Sequence, residues 1–246
     1  MYTSFVYINL TTVPNSVFVR YTPGDMPWKI FAVFLIVIVP VSAESRTDEN
    51  PYGSYTTEAL FELDRARTHL EFDRLDMALL QAAVLAHTNR QRESRGLVPL
   101  VYDRSLEYAA ELHSQAMRDR GFFSHTSPVP GQRTVRERAF AAGFSGRGVG
   151  ENIATSFAIQ YEAGRSVFVP SQNGGYFSYS FQGEPIPPHS YLSAAEAVVE
   201  QWMNSPGHRA NILRPEFRYL GVGAAFSPDP RFHDIPRFFM TQKFGM

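Results

Sequence analysis

Val198 to Leu213 reads VVEQWMNSPGHRANIL, and most of the fold can be worked outward from it. Upstream, Ala195, Val199 and Trp202 fall on one helical face, and Ser193 with Glu196 predicts a capping box at the helix start. Pro206 should stop or kink that helix, leaving a short helical turn from His208 to Leu213. The period then changes to two. Leu220, Val222, Ala224 and Phe226 alternate with Gly221 and Gly223, the pattern of a strand lying close beneath a helix. Arg237 to Phe244 reads as a second terminal strand, joined to the first through Ser227-Pro228-Asp229-Pro230 as an antiparallel pair. Helices and antiparallel strands in one domain predict a mixed α/β layer fold.

Toward the N-terminus, a helical pattern begins near Leu70, with Leu75, Leu79, Ala82, Ala83 and Ala86 in step and Gly96 as its stop. Asp103 is placed to cap a second helix whose stripe is Leu106, Ala109, Ala110, His113 and Met117, ending at Gly121. A third, shorter helix is expected from Thr134 to Ala142. Residues 158–192 differ in character. Asn173-Gly174-Gly175 separates Val167-Phe168-Val169 from the alternating Phe177, Tyr179 and Phe181, which predicts a β-hairpin. Its aromatics could cover a core edge or wall a ligand groove, and the first is the commoner use.

The composition excludes several classes. With 23 basic against 24 acidic side chains and a net charge of −1, no basic excess exists for nucleic acid. Cysteine is absent, which removes disulfides, thiolate metal sites and cysteine nucleophiles. Ile30 to Val39 is wholly apolar, but about ten residues are too few to span a bilayer. Lys29 before it and Val41-Ser42-Ala43 after it form an export signal with cleavage before Glu44, and Met26 is the expected start. The domain plan is therefore 1–43 signal region, 44–69 linker and 70–246 folded domain, with no membrane span in the mature chain. The expected location is secreted or periplasmic, in a bacterium.

Two histidines stand on loop or helix-terminal backbone: His125 in Phe123-Ser124-His125-Thr126-Ser127-Pro128 and His208 in Ser205-Pro206-Gly207-His208. Glu151 follows Gly150 and precedes Asn152-Ile153-Ala154. His113, on an apolar stripe, reads as a satisfied core histidine rather than a ligand.

These segments, with Leu97-Val98-Pro99-Leu100 and Tyr219-Leu220-Gly221-Val222-Gly223, come in the order of the CAP superfamily, and the chain resembles its bacterial SCP-like branch from about Leu70 to Phe244. The resemblance implies a three-layer α-β-α sandwich with a central antiparallel sheet and a surface cleft, here with the added hairpin. It also implies a cleft tetrad of two histidines and two acids. His125, Glu151 and His208 match three of these positions. Where many relatives carry the fourth, this chain has Ser205, and Glu200 is the nearest acid.

Two imidazoles and a carboxylate make a three-ligand set for zinc or a similar divalent cation, with one position left to water. The same groups could form a hydrogen-bonded cluster that orders the cleft. The resemblance implies an exported, non-enzymatic cleft protein binding a lipid or cell-envelope ligand, with a divalent metal modulating the cleft. A metal-dependent hydrolase with Glu151 as base, or a structural partner-binding module, are the alternatives. Neither HExxH nor GxSxG occurs.

Overall fold

The computed structural model describes residues 50–246, so the expected export signal and the start at Met26 lie outside the described residues. In chain order the elements are α1 (Thr57–Glu62), α2 (Asp64–Arg67), α3 (Met77–Glu93), β1 (Val101–Tyr102), α4 (Arg104–Arg120), α5 (Val135–Ala141), β2 (Val149–Phe157), α6 (Tyr191–Met203), α7 (Pro206–Ile212), β3 (Tyr219–Asp229) and β4 (Ile235–Gly245). The sheet runs β1-β3-β4-β2. It is antiparallel except where the two residues of β1 pair parallel with β3, at Val101–Tyr219 and Tyr102–Leu220. Helices cover both faces, α3 and α6 on one and α4 and α5 on the other, which is the expected three-layer sandwich.

The glycines of β3 set the spacing of one layer. A Cβ on Gly221 would collide with the backbone of Leu106 and Glu107, and one on Gly223 with that of Ala110 and Glu111. The helix α4 therefore lies directly on β3, its start capped by Asp103 and its end at Gly121 in the left-handed region, φ 65°. On the opposite face Leu220, Val222, Ala224, Met240 and Phe244 join Leu79, Leu80, Ala83, Val198 and Trp202 in the principal core. Burial of this kind, at about 25 cal/mol per Å² of apolar surface, is the main stabilising term in a chain without cysteine.

Several expectations need correction. Residues 50–69 are not a linker: Thr56 caps α1, Leu60 and Ala66 are buried in the core, and the Asn50 side chain is buried as well. The first long helix starts at Met77 behind an Asp76 cap, not near Leu70. The box that opens α6 is Ser190 with Ser193, each side chain accepting from the other's backbone, so the helix starts before Glu196. The segment Ser227-Pro228-Asp229 belongs to β3, and the turn is the 3-10 stretch Pro230–Phe232 with His233 and Asp234 at positive φ. The hairpin does not form. A 3-10 turn occupies Pro170–Gln172, and only isolated bridges such as Phe168–Ser178 remain, because the Asn173 side chain bonds to Ser178 Oγ and Gln182 N. Its aromatics take the commoner role. Phe177, with Val169 and Ile186, packs against Ile235 in a satellite core, while Phe168 and Phe181 pair on the surface.

Candidate functional site

Gly150-Glu151-Asn152-Ile153-Ala154 forms part of β2, the last strand of the sheet. Alternation sends Glu151 to the α4 and α5 side and Asn152 to the α6 and α7 side. The Glu151 carboxylate is 1% exposed and almost fully surrounded. One terminal nitrogen of Arg138, on α5, donates to its Oε1 at 2.9 Å and its Oε2 at 2.7 Å. The Lys243 ammonium, from the facing residue of β4, reaches Oε2 at 2.5 Å. The Nδ1 of His125 lies 2.8 Å from Oε1, and Nε2 of His113 lies 3.6 Å from the same atom. An ionised carboxylate only accepts, so His125 donates from Nδ1, and in the neutral ring Nε2 keeps the lone pair.

Burial alone would raise the Glu151 pKa, but the His125 hydrogen bond and the charges of Lys243, His113 and Arg138 outweigh it and hold the carboxyl far below its ordinary range. Burial pushes the Lys243 ammonium down to about 8, with Arg138 adding to the effect and Glu151 opposing it. Burial likewise lowers His113 to about 4, so its ring is neutral near pH 7. One carboxylate therefore faces two permanent or near-permanent cations in a region closed to water.

Arg138 also holds the loop that carries His125. Its two terminal nitrogens donate to the carbonyls of His125, Gln132 and Arg133, and Nε2 of His113 donates to the carbonyl of Ser124. Against this loop opens a groove of about 610 Å³, with Phe122, Pro128, Val129 and Pro130 as apolar wall and Ser124, Thr126 and Ser127 as polar wall.

On the other side of β2, Asn152 donates to the His208 carbonyl and to Gln242, while Asn211 donates to Asn152 and to the Glu151 carbonyl. The His208 ring is half-buried; burial first and the nearby His125 second lower its pKa. The structure therefore brings His125, Glu151 and His208 to one edge of the sheet, with the His125 ring on Glu151, the His208 backbone on Asn152 and the two imidazoles close enough to influence each other. Ser205 stands half-buried at the start of α7. Glu200 goes elsewhere: it is exposed on α6 and lines a separate groove with His87, Arg90 and Gln91 of α3.

A divalent ion held jointly by His125, His208 and Glu151 does not fit this arrangement. Both carboxylate oxygens already accept from cations, and a metal ion would enter beside Arg138 and Lys243. Among the described residues, no group of three His, Asp or Glu side chains is spaced for a metal. Sequence reading did not find Arg138 and Lys243. The available signal was a lysine inside the otherwise apolar or neutral stretch 238–245 of β4, because a charge there must be paired.

Comparison with known proteins identifies a family. The profile described as CAP, cysteine-rich secretory protein family, matches residues 85–244. A Bacillus subtilis (strain 168) protein described as uncharacterized protein YkwD is 34% identical over 140 residues, covering 57% of this chain and 40% of the relative. An uncharacterized membrane protein of the same strain, YlbC, is 28% identical over 140 residues, covering 57% and 30%. The chain thus spans less than half the length of these relatives. Among solved structures, an extracellular protein containing a SCP domain from Bacillus anthracis aligns at 25% identity and TM-score 0.47, covering 72% of this chain and 44% of that one. A cysteine-rich secretory protein from Staphylococcus aureus aligns at 15% and 0.40, covering 69% and 39%.

Proposed function

Because the chain belongs to the CAP family of cysteine-rich secretory proteins, we propose that it is an exported protein whose cleft binds a lipid or other cell-envelope ligand without chemically changing it. The observation that carries this reading is the engagement of Glu151 by Arg138, Lys243 and His125. A carboxylate held so far below its ordinary range is a poor proton acceptor at neutral pH, so it is badly suited to be the base of a hydrolase. It serves instead as the counter-charge that holds the cleft wall.

The groove beside His125 supports binding, since its apolar and polar walls suit an amphipathic ligand. Among the described residues no helix is long and apolar enough to cross a membrane. A divalent ion, where one is taken, would use the free nitrogens of His125 and His208 as modulators of the cleft.

The test is calorimetry of the full chain with zinc, together with flotation on vesicles of anionic phospholipid and sedimentation with purified cell wall. Wild type is compared with the His125→Ala/His208→Ala double variant. Binding to vesicles or wall that drops in the variant supports the proposal. Turnover of peptide or wall material that depends on zinc and on both histidines would replace it with the hydrolase.

A further inference from the structure

From Ser166 to Gly183 no side chain carries an amine, guanidinium, imidazole or carboxylate, while Phe168, Tyr176, Phe177, Tyr179 and Phe181 supply aromatic rings. Phe177 is buried in the satellite core and Tyr179 packs against it. Phe168 and Phe181 do not join them. They are 37% and 61% exposed, with ring centroids 5.9 Å apart and planes inclined at 58°. One exposed ring is ordinary, but two in contact make a small apolar platform. The backbone holds that platform in place. Phe168 N donates to Ser178 O at 2.9 Å and Ser178 N donates back to Phe168 O at 3.2 Å. The buried Asn173 side chain donates to Ser178 Oγ at 2.8 Å and accepts from Gln182 N, the residue after Phe181. Gln182 itself sits at φ 54°, a left-handed conformation that costs free energy for a side chain of its kind. Ser180 and Gln182 flank Phe181, and Gln172 precedes Asn173; all three are exposed, and their side chains make no hydrogen bond among the described residues.

We infer that Phe168 and Phe181 form a platform for an uncharged polysaccharide, at a site whose residues take no part in the groove beside His125. The negative face of an aromatic ring receives the C–H face of a sugar, and two fixed, inclined rings are already arranged to do so. The side chains of Gln172, Ser180 and Gln182 supply donors and acceptors for sugar hydroxyls. With no charge across the segment, nothing there pairs the phosphates or carboxylates of an ionic polymer. A bilayer is a poorer occupant, since sinking the ring pair into hydrocarbon would carry Ser180 and Gln182 with it. The proposed export supplies the setting in which such a polymer is met. What the cleft binds does not enter the inference.

Calorimetry of the full chain with chitohexaose and cellohexaose, and co-sedimentation with insoluble chitin and cellulose, test it. Saturable binding to at least one of these is expected, weakened about tenfold or more by Phe181→Ala and by Phe168→Ala. Phe181→Tyr keeps a ring and should keep the binding. The Phe181→Ala urea midpoint should stay at that of wild type, which separates a lost contact from a lost fold; that variant carries the test should Phe168→Ala fold poorly. No binding to any of the four glycans, or binding indifferent to Phe181→Ala, overturns the inference. Attachment to phosphatidylcholine vesicles, or self-association, that needs Phe181 while glycan binding does not also overturns it. Glycan binding lost in His125→Ala/His208→Ala but kept in Phe181→Ala moves the glycan to the cleft and removes the platform. Glycan binding lost in Phe181→Ala and kept in the double histidine variant supports the platform, whatever becomes of the cleft reading.

Discussion

One nitrogen of Arg138 spans both oxygens of Glu151 while also donating to the carbonyl of His125, so a single guanidinium joins the sheet edge to the loop beside it. The side chains of Arg138 and Glu151 are each 1% exposed, and Lys243 is fully covered. The position of the candidate ligand wall therefore depends on a buried ionic cluster.

Glu151→Gln leaves two buried cations without their counter-charge and should cost roughly 3–5 kcal/mol, read as a lower urea midpoint. Lys243→Met removes one cation but leaves Arg138 on the carboxylate, and should cost clearly less. Equal losses in the two variants would contradict the charge imbalance described above.

Acid should weaken the fold through its buried histidines. His113 and His87 each sit at about 4 in the fold against 6.5 in the free state, both lowered chiefly by burial. Between those values the unfolded chain binds protons that the native chain does not, so stability falls as pH falls. Each histidine contributes roughly 3 kcal/mol over that window. Glu151, also depressed, extends the loss below its ordinary range. Urea midpoints from pH 7 to pH 4 should decline steeply, and His113→Gln should flatten the slope above pH 4.5, with the other lowered histidines supplying the rest.

Two glycines should respond in opposite directions. Gly223→Ala drives a methyl into the α4 backbone and should cost about 1–3 kcal/mol or more through overpacking. Gly207, in α7, has open space at its Cβ position and no positive φ. Gly207→Ala should be neutral or raise stability by up to about 1 kcal/mol. Thermal melts of the two variants decide it.

Asn50→Ala should cost about 1–3 kcal/mol although it lies outside every helix and strand. Its amide donates to Ala78 O at 3.1 Å and to Glu107 Oε2 at 2.8 Å, and Glu107 is itself 2% exposed. A melting temperature unchanged from wild type would show that this attachment adds nothing.

The parts of the fold that could be read from sequence are those fixed by local chemistry. The cap at Asp103, the stripe through Leu106 and Met117 and the Gly121 stop describe α4 almost to the residue. Glu151 and Asn152 concealed β2, because polar neighbours resemble a loop until their tertiary partners are known: Arg138 and Lys243 on one face, Gln242 and His208 on the other. The start of α6 was ambiguous because Ser190, Ser193 and Glu196 offer two overlapping boxes, and the structure uses the first pair. His125 and His208 were legible as loop or helix-terminal residues among recognisable motifs, but their meeting at β2, through Glu151 and Asn152, follows from sheet topology. Glu200 lies two residues before Trp202, so helical rotation turns it away from the buried Trp202 face and into the outer α3 groove.

The Asn50 attachment bears on how the molecule can be cut. A fragment trimmed to the stretch matched by the family profile, 85–244, would lose Asn50, α1, α2 and the first half of α3. It would strip Glu107 of an amide partner and uncover Trp202 and its neighbours. Any expression boundary, fusion junction or protease site intended to release an intact domain therefore belongs upstream of Asn50.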